Sequence, residues 1–349
     1  RWKNAKKLII NKVTNSKNEI KNKYKKIETT KKQAILFGYG NYAKTNIIPF
    51  VSRYIDVCSI HEIDPTQVNY RKKDINWQSS PFPSKDDKYD VYFVASYNHT
   101  HAPISYYGLR QGAYVVVEKP IVMDQNELKQ LLKILLKSGQ KLFVGFHKRY
   151  GKFNQLAFKD LGVKYGDPIS YHSIVYELKQ PKLFWYNWNV SGSTFYSNGC
   201  HQIDHFLYLN NYSKPKKFDI KILKDGSILV WVELYNSAVM TSIFSEKGTY
   251  RVGPRDIVEL KVPGKNIRII DSISYQSEDN SKIIRKKKVF KTDSYQDMYR
   301  TIGRKISEGQ PGDSIESIRV STQLMLDLEE KLQKITKTEK TYYHSKTEF

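Results

Sequence analysis

The sequence predicts an α/β protein of two domains, a doubly wound parallel sheet followed by a strand-rich, mainly antiparallel region. Three observations carry this. The 349 residues are about twice the common domain length. From Ala34 to Phe146 short apolar runs alternate with stretches of helical spacing, the repetition of βαβ units. After Tyr150 the pattern changes to strand-like runs separated by short turns, which favours antiparallel pairing.

The elements follow in order. Ala34–Phe37 is a short buried-strand run that ends in Gly38-x-Gly40-x-x-Ala43, and a helix winds from Asn41. In that pattern Gly38 permits a tight turn, Gly40 lets backbone approach a pyrophosphate, and Ala43 permits close helix-to-strand packing. A second strand, Ile55–Ile60, is followed by Glu62, 24 residues after Gly38, near the distance expected of the acid that accepts from ribose hydroxyls. A carboxylate there repels a 2′-phosphate, so NAD(H) is expected over NADP(H), a preference tempered by Arg71, Lys72 and Lys73. Then come a strand at Val91–Ala95, a helix at Ala102–Gln111, a strand at Tyr114–Val117, a helix at Gln125–Ser138 and a strand at Leu142–Phe146. In the second half, Ile169–Leu178, Phe218–Leu223, Ser227–Tyr235 and Ala238–Phe244 read as strands, with Lys224-Asp225-Gly226 as one of the turns. A last helix from Ser314 to Ile335 points Ile318, Leu324, Leu328 and Leu332 inward, and the polar end from residue 338 is expected to fray.

Composition bounds the function classes. Hydrophobic residues at 40% and aromatics at 13% supply a core, which excludes wholesale disorder. No apolar run reaches the roughly 18 to 20 residues of a membrane span, and the start lacks a secretory apolar region, so the chain reads as soluble and cytoplasmic. A start at Arg1 rather than Met marks a processed chain or a piece of a longer one. Cys58 and Cys200 are too few and too far apart for a disulfide framework or a CxxC knuckle, and no metal is expected. Net charge is +23, but residues 1–33 hold 12 Lys/Arg against two Glu, so nearly half the excess lies in a tenth of the chain; without a nucleic-acid motif, nucleic acid is not the expected partner. In this leader Trp2, Ile9, Val13, Ile20, Tyr24 and Ile27 form one apolar stripe in a basic surround. It suits packing on the protein's body or a twin subunit, contact with an anionic membrane surface, or a link to a preceding domain. The expected division is a leader at 1–33, a dinucleotide domain at 34–150, a substrate and oligomerisation domain at 151–337 and a polar tail at 338–349.

The glycine pattern is followed by Asn98-x-x-His101, Glu118-Lys119-Pro120 and Gly145-Phe146-His147-Lys148-Arg149, then by Ser191-Gly192-Ser193 and Gly199-Cys200-His201-Gln202-Ile203-Asp204. This ordered set resembles the Gfo/Idh/MocA family of nicotinamide-dependent oxidoreductases over most of the chain after the leader. The resemblance implies a Rossmann domain followed by an α/β domain built on a large, open, mainly antiparallel sheet, often used for oligomer contacts. It further implies sugar, sugar-nucleotide or cyclitol substrates and a cis Lys119-Pro120 bond. The cofactor-binding set it points to is Gly38, Gly40, Asn41, Tyr42, Glu62, Ser96, Asn98, His101, Glu118 and Lys119.

For the chemistry, Lys119 is placed to donate to a substrate hydroxyl oxygen, and His201 to move the hydroxyl proton, since imidazole titrates near working pH. Asp204, three residues on, shares a helical face with His201. Arg149 and Tyr186 are expected at the substrate with Asp204 and Ser197, and Trp185 in the pocket lining. Where the family has an Asp one helical turn before the His, this chain has Ser197, which cannot stabilise an imidazolium by charge; His201 should then be a weaker base. The expected activity is NAD(P)-dependent hydride transfer to or from a secondary alcohol or ketone carbon of a sugar, sugar nucleotide or cyclitol. The alternative, supported by Ser197, is a non-catalytic cofactor or sugar binder with an assembly or regulatory role.

Overall fold

The computed structural model describes residues 31–68, 74–181, 185, 188–251 and 253–346. The leader stripe, Arg71–Lys73 and Tyr186 lie outside them.

The βαβ repetition becomes a six-stranded, wholly parallel sheet of β1 (Lys32–Phe37), β2 (Ile55–His61), β3 (Asn76–Gln78), β4 (Val91–Val94), β5 (Tyr114–Val117) and β6 (Leu142–Val144), in the order β3-β2-β1-β4-β5-β6. Strand order reverses between β1 and β4, and a crevice at their carboxyl ends is where this topology binds ligands. Strands such as Val91–Val94 and Tyr114–Val117 are buried at every position, so both faces need cover. One face is covered by α2 (Asn98–Arg110) and α3 (Gln125–Leu135). Asp124 starts α3 by accepting from the backbone N–H groups of Asn126 and Glu127. Helix α2 begins at Asn98, four residues before the expected start, and carries Pro103 within it. On the other face α1 (Ile48–Val51), entered through a π-helical turn at Ala43–Ile47, is too short to suffice. The cover is completed by α6 (Asp293–Ser307), whose Met298, Tyr299, Ile302 and Ile306 pack with Leu36, Phe93, Val116 and Phe143. A helix from the region assigned by sequence to the second domain is thus part of the first domain's core.

The second sheet has eight strands in the order β14-β13-β12-β11-β7-β10-β9-β8, comprising β7 (Ser170–Tyr176), β8 (Pro215–Ile222), β9 (Ile228–Leu234), β10 (Val239–Ser245), β11 (Arg255–Val262), β12 (Lys265–Ile270), β13 (Ser274–Asp279) and β14 (Ile283–Lys288). Every pairing is antiparallel except β7 with β10, so the sheet is mixed. The turn at Lys224-Asp225-Gly226 forms as expected: Gly226 has φ +82° and Asp225 accepts from the Ser227 N–H. Helices α4 (Phe153–Leu161), α5 (Cys200–Leu209) and α7 (Ile315–Lys346) complete the domain, and α7 runs past the expected end at Ile335. The return crossing before α7 seals the edge of the first sheet. Gly312 N–H donates to Gln140 O (2.6 Å), Asp313 N–H to Leu142 O (2.7 Å), and Val144 N–H to the Asp313 carboxylate (2.9 Å). No helix among the described residues is long and apolar enough to cross a membrane, and Cys58 and Cys200 are both free.

Candidate active site

The glycine turn after β1 is shaped as its residues require. Gly38 has φ +88°, and a Cβ there would meet the Ala95 carbonyl oxygen at 2.5 Å, so side chains are excluded twice over. Gly40 differs: a Cβ on it would meet nothing within 4 Å, which leaves its backbone open to an approaching group. Glu62 follows β2 and anchors the loop, accepting from Tyr39 N–H (2.6 Å) and Asp64 N–H (2.8 Å). Free space at Gly40, a carboxylate at the end of β2 and the topological switch point together fit a dinucleotide.

Beside this turn opens a cavity of about 460 Å³ between the domains. From the first domain it is lined by Tyr42, Ser96, Asn98, His101, Glu118 and Lys119, and from the second by His201, so seven of the residues predicted from sequence meet in one place. The Lys119-Pro120 bond is cis. Lys119 Nζ donates to the Ser197 carbonyl oxygen (3.0 Å) and to Asn198 Oδ1 (3.3 Å), which brings the ammonium to the start of α5. Tyr299 of α6 donates to the buried Glu118 carboxylate, and burial raises the Glu118 pKa. Gly145 makes room for it, since a Cβ there would strike Glu118 Oε1 at 2.6 Å.

Several predicted residues hold the site together. His101 sets Nδ1 against Pro120 O (2.7 Å) and Nε2 against Ser96 O (3.0 Å), pinning the cis turn to the end of β4. Its burial pushes the imidazole pKa down to about 4, which favours the neutral ring. Asn98 spends both amide hydrogens on the second domain, donating to Ser191 O (2.8 Å) and Ser197 Oγ (3.1 Å). Ser197 is therefore a buried link between the domains and is not part of the cavity lining. Arg149 and Asp204 also depart from expectation. They form a two-pronged buried ion pair (2.8 and 2.5 Å), extended by Asp313 (3.2 Å) and by the Ser321 hydroxyl (2.7 Å), and neither lines the cavity. Their charges satisfy each other across the domain junction, which leaves none for a substrate there.

His201 enters the cavity from α5, with its ring against His147 (centroids 4.5 Å, edge-on). His147 in turn stacks on Tyr295 at 3.8 Å and has Nδ1 2.9 Å from the Ser294 hydroxyl. Nδ1 of His201 is enclosed and has no hydrogen-bond partner among the described residues, so the other ring nitrogen is the one open to the cavity. A proton on Nδ1 would be a buried donor without an acceptor, costing about 1–3 kcal/mol. A proton on Nε2 avoids leaving a buried N–H without an acceptor. Burial, then His147, Lys119 and Lys148, hold the imidazolium form well below its ordinary range.

Of the remaining lining, Trp185 was expected and the strand residues were not. β7 and β11 supply Val175, Glu177 and Asp256. Asp256 pairs with Lys148 and accepts from Gln202 Nε2 (3.1 Å) through one oxygen. Trp185 lines the cavity too, edge-on to Tyr97 at 5.4 Å. The sequence signal for Glu177 was present: Tyr171, Ser173 and Val175 alternate inward along β7, and an acid continues that face.

Residues 33–146 match the family model described as GFO_IDH_MocA, an oxidoreductase family with an NAD-binding Rossmann fold. No curated protein matches the chain in sequence. Among solved structures, a dehydrogenase from Chromobacterium violaceum aligns at TM-score 0.73 and 12% identity, covering 90% of this chain and 98% of that one. The scyllo-inositol dehydrogenase of Lactobacillus casei, solved with NAD(H) and scyllo-inositol, aligns at 0.69 and 16%, over 87% and 98%. KijD10, a 3-ketoreductase from Actinomadura kijaniata solved with NADP, aligns at 0.70 and 13%, over 86% and 97%. The likeness extends through both domains.

Proposed function

We propose that the chain, whose residues 33–146 match the Gfo/Idh/MocA oxidoreductase family model, is a nicotinamide-dependent dehydrogenase or ketoreductase acting on a secondary alcohol or ketone carbon of a sugar, sugar nucleotide or cyclitol. The observation that carries this is the meeting of Lys119 and His201, from two domains, in one cavity beside the glycine turn. Gly38, Gly40 and Glu62 would hold the dinucleotide, which supplies a hydride acceptor or donor at its nicotinamide carbon. Lys119 presents an ammonium to the reacting oxygen, and His201 presents a second N–H. Glu62 at the end of β2 supports NAD(H) over NADP(H). The substrate class rests on the named activities of the structural neighbours and on a cavity lined by both hydrogen-bond donors and carboxylates.

The test is turnover of a panel of sugars, cyclitols and nucleotide sugars with NAD⁺, and of their keto forms with NADH, read as reduced-cofactor absorbance. The second reading, a non-catalytic binder, is favoured by one observation: Ser197 occupies the position of the family's carboxylate and is consumed in the domain link. Tight cofactor binding without turnover of any panel member would decide for it.

A further inference from the structure

If Lys119 and His201 both donate, the cavity still needs a group to receive the hydroxyl proton during alcohol oxidation. We propose that Glu177, delivered by the second domain's sheet, is that group and holds the catalytic proton, with His201 acting only as a neutral hydrogen-bond donor. This rests on the dehydrogenase reading above and assigns a proton carrier within it.

Placement is the first support. β7 alternates with Tyr171, Ser173 and Val175 buried, and Glu177 continues that face into the cavity. Asp256 lies opposite Val175 across the β7–β11 ladder, so both acids arrive on the cavity side of the sheet. Rigidity is the second. Glu177 N–H donates to Ser245 O (2.8 Å), Glu177 O accepts from Gly248 N–H (2.9 Å), and a Cβ on Gly248 would strike that same oxygen at 2.6 Å. The strand end is therefore clamped by its neighbours while the side chain is left free. The third is availability. Among the described residues the Glu177 carboxylate makes no hydrogen bond or ion pair, whereas Asp256 is engaged by Lys148 and Gln202.

The groups facing Glu177 favour the role. Burial raises its pKa, Asp256 and Glu246 raise it further, and Lys119 and Lys291 oppose them. A carboxylate raised above its ordinary range is a better proton acceptor. In the oxidation step the carbinol C–H bond breaks and its electron pair leaves as hydride to the oxidised nicotinamide. The O–H bond breaks with its proton passing to a Glu177 carboxylate oxygen, and C=O forms. The carbinol is oxidised and the nicotinamide reduced; the reverse step returns the Glu177 proton to the oxygen.

Two measurements on the full chain test this. Nitrogen-15 NMR of the imidazoles, with His201 assigned from a His201→Gln spectrum, should show His201 neutral with its proton on Nε2 from pH 6 to 8. An Nδ1–H tautomer or an imidazolium forming in that range overturns the proposal. With a turned-over carbinol, Glu177→Gln should lower kcat by about 10² to 10⁴ and remove the acid limb of the kcat/KM profile, leaving the NADH Kd unchanged. Turnover that keeps its acid limb in Glu177→Gln overturns this assignment alone. Absence of wild-type turnover overturns it together with the dehydrogenase reading.

Discussion

At the scale of single residues, chemistry is set by what surrounds each polar atom. Lys119 is held at the start of α5 by the Ser197 carbonyl and Asn198, so its ammonium is aimed before any substrate arrives. Lys119→Ala should lower turnover by about 10² to 10⁴, with a much smaller change in NADH affinity by fluorescence titration. Glu62 anchors the Tyr39 turn, and in the proposed function it would accept from the ribose hydroxyls. Glu62→Ala should weaken NADH binding and shrink the NADH-over-NADPH preference, and equal or inverted affinities in the wild type would remove Glu62 from that position. Glu118 shows how burial becomes a pH dependence. Its folded pKa is raised, so its contribution to stability is complete below the unfolded value of about 4.3 and is lost as pH rises through the folded one. Glu118→Gln keeps an acceptor for Tyr299 and removes the titration. Urea unfolding between pH 4 and 8 should show a smaller loss of stability with rising pH in this variant than in the wild type.

Elements succeed here where local pattern and burial agree. The apolar runs of β1, β4 and β5 and the alternation of β7, β9 and β10 are readable because each strand's exposure follows directly from its place in a sheet. Strands β3 and β11 to β14 were not read, and β14 (IIRKKK) shows one reason. It lies at an edge with little burial, so its side chains carry no alternation to detect. Helix α6 is a different case. Its amphipathic face is clear in retrospect, but the surface it covers belongs to strands more than 150 residues earlier. Gly303 of this helix packs against Tyr54, with a Cβ position 3.0 Å from the ring. Gly303→Leu should loosen α6 from the first sheet, lowering Tm and weakening cofactor binding through Glu118 and Tyr299.

Across the whole molecule the domain junction is where sequence and structure part. Arg149, Asp204 and Asp313 come from three distant segments and form a buried charge cluster that fastens the return crossing, α5 and the end of the first domain. Removing Asp204 leaves Arg149 with Asp313 alone and the buried Ser321 hydroxyl without its acceptor, so Asp204→Ala should cost about 1–3 kcal/mol by chemical denaturation. Asp204 lies outside the cavity lining, so the folded fraction should keep its NADH affinity. The resemblance supplied Lys119 and His201, while the sequence by itself determined the parallel sheet, the strand-rich second half, the glycine turn and the acid after β2. These last follow from local periodicity and from short motifs whose geometry is fixed within a few residues. Only the tertiary structure decided which charges are spent on each other and which remain for a substrate. Arg149, Asp204 and Ser197 are consumed by partners distant in the chain, while the Glu177 carboxylate makes no hydrogen bond or ion pair among the described residues. Motif spacing does not encode that distinction, because an ion pair or a link between domains depends on where distant segments meet.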